Sequence, residues 1–90
     1  MSKSEAHVIL GIHIHDRVRS AAGVQKILTD HGDRIQTRLG LHHVHEGQGS
    51  PHGLILVEIL GKGSEAQSLI ERLSALDGVT VKSMDFTHGG

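Results

Sequence analysis

The stretch LILVEIL, residues 54–60, constrains the fold of this chain more than any other. Its side chains are apolar on both faces that a β-strand would present, and only Glu58 interrupts them. A strand of this kind is typical of a central position in a sheet that is covered on both sides. The sequence therefore predicts a sheet with this segment in its interior.

The hydrophobic pattern predicts six elements in the order β-α-β-β-α-β. Alternation with period two indicates strands at about 7–15, 33–45, 53–60 and 79–86. Apolar stripes with helical spacing indicate helices at about 17–31 and 64–77, with Gly32 where a left-handed C-terminal cap is wanted. Gly47 to Pro51 predicts a turn or mobile loop.

This order predicts a single α+β domain over residues 1–90, with a ferredoxin-like (ACT-like) fold. Two helices would cover one face of a four-stranded antiparallel sheet, and the strands would lie in the spatial order four, one, three, two. Ile9 and part of the 54–60 segment would remain on the uncovered face. An apolar face left open predicts self-association, as a dimer or tetramer.

Composition excludes several classes of protein. The chain has no cysteine, a formal net charge of −1 at pH 7 and no dense basic patch. We therefore expect no disulfide, no thiolate metal site and no direct binding of nucleic acid. With no leader-like or membrane-spanning run, we expect a soluble cytoplasmic protein that does not engage a membrane. No Ser–His–Asp elbow or paired carboxylates stand out, so we expect no enzymatic activity.

Histidine is the unusual residue, with nine in 90 residues. The predicted topology brings the ends of the first two strands and the start of the third to one end of the sheet. Those segments carry two His-x-His pairs and one further histidine: His13 and His15, His43 and His45, and His52. Residues i and i+2 of a strand point the same way about 6.5–7 Å apart, so each pair can converge on one ion.

His31 would lie at the opposite end of its own subunit, so it could join this cluster only from a neighbouring subunit. Imidazole suits zinc, nickel and copper(II). The sequence predicts a transition metal site, with nickel or zinc as the ion. The competing interpretation is that the histidines are polar surface or form an acid-sensitive interface.

Several stretches together resemble a known family. These are VILGIHIHDR, HGDRIQTRLGL, LILVEILGKG and LSALDGVTVKSMDF, which span nearly the whole chain. They are similar to the ACT-like iron-only hydrogenase system regulators. The resemblance implies a ferredoxin-like domain that forms oligomers and has a regulatory role.

The histidine set resembles a second ACT-like group, the C-terminal domain of nickel-responsive repressors. That resemblance implies that His43, His45 and His52 bind nickel together with His31 from a partner subunit. The repressors use a cysteine where this chain has His52. Only Met1 to Ala6 precede the first predicted strand, so no DNA-binding ribbon-helix-helix segment is expected.

Asp16 and Arg17 follow the first strand and could touch a ligand, and the alternative interpretation is a helix cap and a surface arginine. Two functions therefore remain open. One is a regulatory or metal-handling protein that binds a transition metal through histidines. The other is an ACT-like module that binds a small metabolite or a protein partner at its oligomer interface, without metal.

Overall fold

The computed structural model describes the backbone of residues 5–41, 44–45, 48–49 and 53–87, and the side chains of 7–16, 19–40, 53–61 and 64–86. Its elements are β1 (Glu5–Ile14), α1 (Arg17–Asp30), a 3-10 turn (Gly32–Arg34), β2 (Ile35–Leu41), β3 (Val44–His45), β4 (Gln48–Gly49), β5 (Gly53–Lys62), α2 (Gly63–Ser74) and β6 (Val79–Thr87). The main sheet is antiparallel with the order β2-β5-β1-β6. The predicted ferredoxin-like fold is confirmed.

Strand β1 forms the floor of the hydrophobic core. Its alternate residues Val8, Leu10, Ile12 and Ile14 are exposed by 3%, 0%, 0% and 2%. Period-two alternation places all four on the face that the helices cover. The core lies between that face and the two helices.

Helix α1 buries a stripe that includes a polar residue near its start. Ala22 is exposed, whereas Ser20 is buried and lies one helical turn before Val24. Positions i, i+4 and i+8 share one side of a helix, which groups Ser20 with Val24 and Leu28. The buried Ser20 hydroxyl is satisfied because it donates to the Asp77 carbonyl at 2.8 Å.

Strand β2 is shorter than the predicted strand at 33–45, because Gly32–Arg34 form the 3-10 turn and the strand ends at Leu41. A β-bulge at Gln36 also changes its alternation: Ile35 pairs with Ile59, while Thr37 pairs with Glu58. The extra residue turns Ile35 toward the helices and leaves Thr37 and the residues that alternate with it on the opposite face. The period-two alternation predicted over 33–45 would put Ile35 and Thr37 on one face, and this part of the strand prediction is therefore wrong.

Other boundaries differ at the ends of elements. The turn predicted over 47–51 is wrong for Gln48–Gly49, which pair with Val44–His45 in a two-stranded ribbon. The third predicted strand continues past residue 60 as far as Lys62, and α2 runs from Gly63 to Ser74 rather than over 64–77. Within the described ranges, neither helix is both long and apolar enough to cross a membrane.

The connection between α2 and β6 packs against the connection between β1 and α1. The His15 amide donates to the Gly78 carbonyl at 2.7 Å, next to the contact that Ser20 makes with Asp77. Gly78 has a φ of 72°, in the left-handed region, whereas Gly32 has no positive φ. The left-handed cap predicted at Gly32 is therefore wrong, because the chain enters a 3-10 turn there.

We expect Gly78→Ala to lower the free energy of unfolding by about 1–2 kcal/mol, because a side chain at positive φ places its Cβ too close to the backbone. Gly32→Ala is the matched control, since a Cβ at that position meets nothing within 4 Å. Urea unfolding of both variants measures the difference. Equal stability of the two variants would contradict the prediction.

Candidate functional site

The face of the main sheet opposite the helices, here called the open face, has no described element over it. Register assigns to it alternate residues of the four strands, which are His7, Ile9, Gly11, His13, Thr37, Leu39, Leu54, Leu56, Glu58, Leu60, Thr80, Lys82, Met84 and Phe86. Three large apolar side chains on it, Leu39, Met84 and Phe86, are exposed by 51%, 56% and 52%. Large exposed apolar surface of this kind marks interaction sites in soluble proteins.

The open face is divided diagonally by chemistry. Apolar residues run from the β2 side to the far end of β6, here called the apolar band: Leu39, Leu56, Ile9, Met84 and Phe86. On one side of it lies the Lys82 corner, formed by His13, Thr80 and Lys82. On the other side lies the Glu58 corner, formed by Thr37 and Glu58.

The Glu58 carboxylate is held in a polar group that spans three strands. His7 Nε2 lies 2.5 Å from Glu58 Oε2, and these side chains are exposed by 32% and 35%. A hydrogen bond from Thr37 and then one from His7 hold the pKa of Glu58 below its ordinary value. Sequence analysis missed this group, although a lone acid in an apolar strand was a signal for it.

The Lys82 corner borders a shallow groove of about 280 Å³, lined by Gly11, His13, Leu54, Thr80 and Lys82. The Lys82 side chain is exposed. It has no ion-pair partner among the residues the structure describes. The groove is lined mainly by apolar surface, and its lining residues include a lysine, a histidine and a threonine.

The predicted meeting of strand ends is confirmed in the backbone. Ile14 lies opposite Gly53, and Leu41 lies opposite Leu54, so the ends of β1 and β2 and the start of β5 share one end of the sheet. His13 lies on the open face near that end, and His15 follows β1 at a bend.

The other predicted ligands at this end are described only in part. His45 lies in β3 opposite Gln48, and only its backbone is described. His43 and His52 lie outside the described residues. Elsewhere in the described chain, no group of three His, Cys, Asp or Glu residues could hold a metal ion.

His31 lies at the opposite end of the sheet, just before the 3-10 turn that leads into β2. Its Nε2 is 3.1 Å from Arg72 Nη1, and Arg72 Nη2 also donates to Asp30 at 3.1 Å. A guanidinium only donates, so His31 Nε2 is the acceptor in this contact. Only Nδ1 could bind a metal ion without breaking the contact with Arg72.

Asp16 and Arg17 stand where the first helix begins. The Asp16 carbonyl accepts a hydrogen bond from the Ser20 amide at 3.1 Å, and Arg17 is the first residue of α1. Asp16 therefore occupies the N-cap position in the backbone. Its side chain is half-buried.

No protein family model and no curated protein sequence matches this chain. Solved structures are similar in fold. The uncharacterized protein TM1266 from Thermotoga maritima matches with a TM-score of 0.80 and 23% identity, over 92% of this chain and 99% of that one.

Two further structures match at lower similarity. The C-terminal domain of the MgtC protein from Mycobacterium tuberculosis gives a TM-score of 0.59 and 13% identity, over 98% of this chain and 95% of that one. CPII from Thiomonas intermedia K12, bound to ADP, AMP and acetate, gives 0.58 and 13%, over 94% and 90% of the two chains. At these identities the likeness establishes the shared ferredoxin-like fold.

We expect the free energy of unfolding to decrease as pH is lowered through the titration of Glu58. A carboxyl whose pKa is lower in the folded state contributes stability above its ordinary pKa and loses it as pH falls through the folded value. Glu58→Gln should flatten this part of the acid dependence, and Thr37→Val should reduce it in part. Thermal unfolding midpoints measured from about pH 6 to pH 3 provide the test. A parent-like slope in Glu58→Gln would contradict this assignment.

Proposed function

We propose that this protein is a small oligomeric ACT-like regulatory module that binds a transition metal ion, nickel or zinc, through histidines. The observation that carries the proposal is the register at one end of the sheet, where Ile14 faces Gly53 and Leu41 faces Leu54. Every segment that brings a candidate ligand to this end starts from one of these strand ends. A shared starting point favours convergence of their imidazoles.

The ion would be held by His43, His45 and His52. His13 and His15 are the nearest histidines on β1, and His31 would come from a neighbouring subunit through Nδ1. Neutral imidazoles would bind the metal cation through their nitrogen lone pairs. The bound ion would stabilise the folded or assembled state that holds those ligands. Metal concentration would thereby control assembly.

The regulatory role rests on the resemblance of the chain to iron-only hydrogenase system regulators. The similarity in fold to TM1266, which covers 92% of this chain, supports the ferredoxin-like fold that this resemblance implies. We propose the same class of role here.

We expect tag-free protein to bind nickel or zinc at neutral pH, and His43→Ala with His45→Ala to abolish tight binding. Each imidazole must lose its proton to bind, so affinity should fall as pH drops below about 6.5. Titration calorimetry measures both effects. The matched control is His13→Ala with His15→Ala, which should have the smaller effect.

Equal affinity of the 43/45 variant and the parent would exclude this ligand pair. A parent chain that binds no transition metal at neutral pH would exclude the metal function as a whole.

The groove at the Lys82 corner favours a second candidate function. Its ammonium, imidazole and hydroxyl groups suit a small anionic metabolite, which would make the chain a metabolite-binding ACT-like module. Thermal stabilisation by anionic metabolites in the presence of a chelator would support this candidate. If the parent is stabilised only by metal, the metabolite candidate is excluded.

A further inference from the structure

We propose that two copies of this chain pack open face to open face about a two-fold axis that runs along the apolar band. The strands of the two sheets then cross at about 90°, one of the two common geometries for packed sheets. Lys82 of each copy meets Glu58 of the other. This proposal rests on the oligomeric character of the proposed function and specifies the surface that forms it.

The apolar band is self-complementary in this arrangement. A two-fold axis along a row of residues places each residue of the row near its own equivalent. Leu56 then packs near Leu56 of the second copy, and Ile9 packs near Ile9. The exposed Leu39, Met84 and Phe86 side chains are covered in the same step.

The same two-fold axis sets the Lys82 corner of each copy against the Glu58 corner of the other. Neighbouring strands of a sheet lie about 4.8 Å apart, and residues i and i+2 of one strand lie about 6.8 Å apart. The rotation then brings Lys82 of one copy within about 4 Å, measured parallel to the sheet, of Glu58 of the other. The sheets lie about 10 Å apart, a gap that lysine and glutamate side chains can span together.

Two other in-plane axes through the centre of the open face place charge against apolar side chains. An axis parallel to the strands sets Lys82 over Leu39 and Glu58 over Ile9. An axis perpendicular to the strands sets Lys82 over Met84 and Glu58 over Leu56. Burial of an unpaired charge is costly, so the Lys82–Glu58 contact favours the diagonal axis over these two.

Both charged groups are available for this contact. Among the described residues nothing forms an ion pair with the Lys82 ammonium. The Glu58 carboxylate already accepts from His7 and Thr37, which fix its position. A carboxylate has room for about four hydrogen bonds in total, so it can also accept from a lysine.

Charge reversal tests the contact. Sedimentation equilibrium of the full chain should show a dimer for the parent. Lys82→Glu or Glu58→Lys alone should raise the dimer dissociation constant at least about tenfold, because each two-fold dimer contains the contact twice. Lys26→Glu, on the exposed side of α1, is the matched control and should dimerise like the parent.

A mixture of the two single variants gives the sharpest result. A heterodimer of Lys82→Glu with Glu58→Lys has two opposite-charge contacts, so an equimolar mixture should associate more tightly than either variant alone. The double variant should likewise recover parent-like association. Circular dichroism of each variant checks that loss of the His7 and Thr37 contacts has not unfolded Glu58→Lys. If Glu58→Lys unfolds, the neutral single variants Glu58→Gln and Lys82→Met are used in place of the charge-reversal variants. Each of them should raise the dimer dissociation constant.

Three results would overturn the proposal: a monomeric parent, single variants that dimerise like the parent, or a mixture no tighter than its components. Metal titration of the same proteins separates this proposal from the metal function. If Lys82→Glu disrupts the dimer and the parent binds no metal, the interface is supported and the metal function is excluded. If the parent binds metal and Lys82→Glu dimerises like the parent, the metal function is supported and this interface is excluded.

Discussion

The pairing of β1 with both β5 and β6 is the constraint on which the rest of the structure depends. The pairing runs the whole length of β1 on the β5 side, from Glu5 opposite Lys62 to Ile14 opposite Gly53. The chain has one phenylalanine and no tryptophan or tyrosine, so its core is built from aliphatic side chains. β1 supplies four of them, and two of these, Leu10 and Ile12, have 0% exposure. Because β1 is paired on both edges, its register also fixes the positions of its residues on the open face, His7, Ile9 and His13, relative to their neighbours on β5 and β6.

The parts of the fold that follow from local periodicity could be predicted from sequence. Alternation in β1 and β5 and the apolar stripe of α2 identify the elements, and their order limits the topology. The bulge at Gln36 could not be predicted, because one extra residue in a strand leaves no mark in composition. The 3-10 turn at Gly32 was missed because the same glycine also suits a left-handed helix cap.

The candidate site also has one part that could be predicted from sequence and other parts that could not. That the strand ends meet follows from topology, and the register confirms it. The contact of His31 with Arg72 depends on how the two helices lie against each other, which sequence patterns do not encode. The Glu58 group was equally hidden, because Thr37, Glu58 and His7 come from three strands that are distant in sequence. Contacts between elements were therefore the part that sequence could not give, and both proposals draw on them.

The bulge at Gln36 has a consequence for how this chain can change in length. A strand with unbroken alternation cannot gain or lose one residue without turning every later side chain to the other face of the sheet. β2 already contains one surplus residue, placed before Thr37 and Leu39 and after Ile35. Deletion of Gln36 would restore plain alternation, with Ile35 still toward the helices and Leu39 still on the open face. At this point the strand can therefore lose one residue without turning its later side chains to the other face, whereas strands that pair without a bulge cannot.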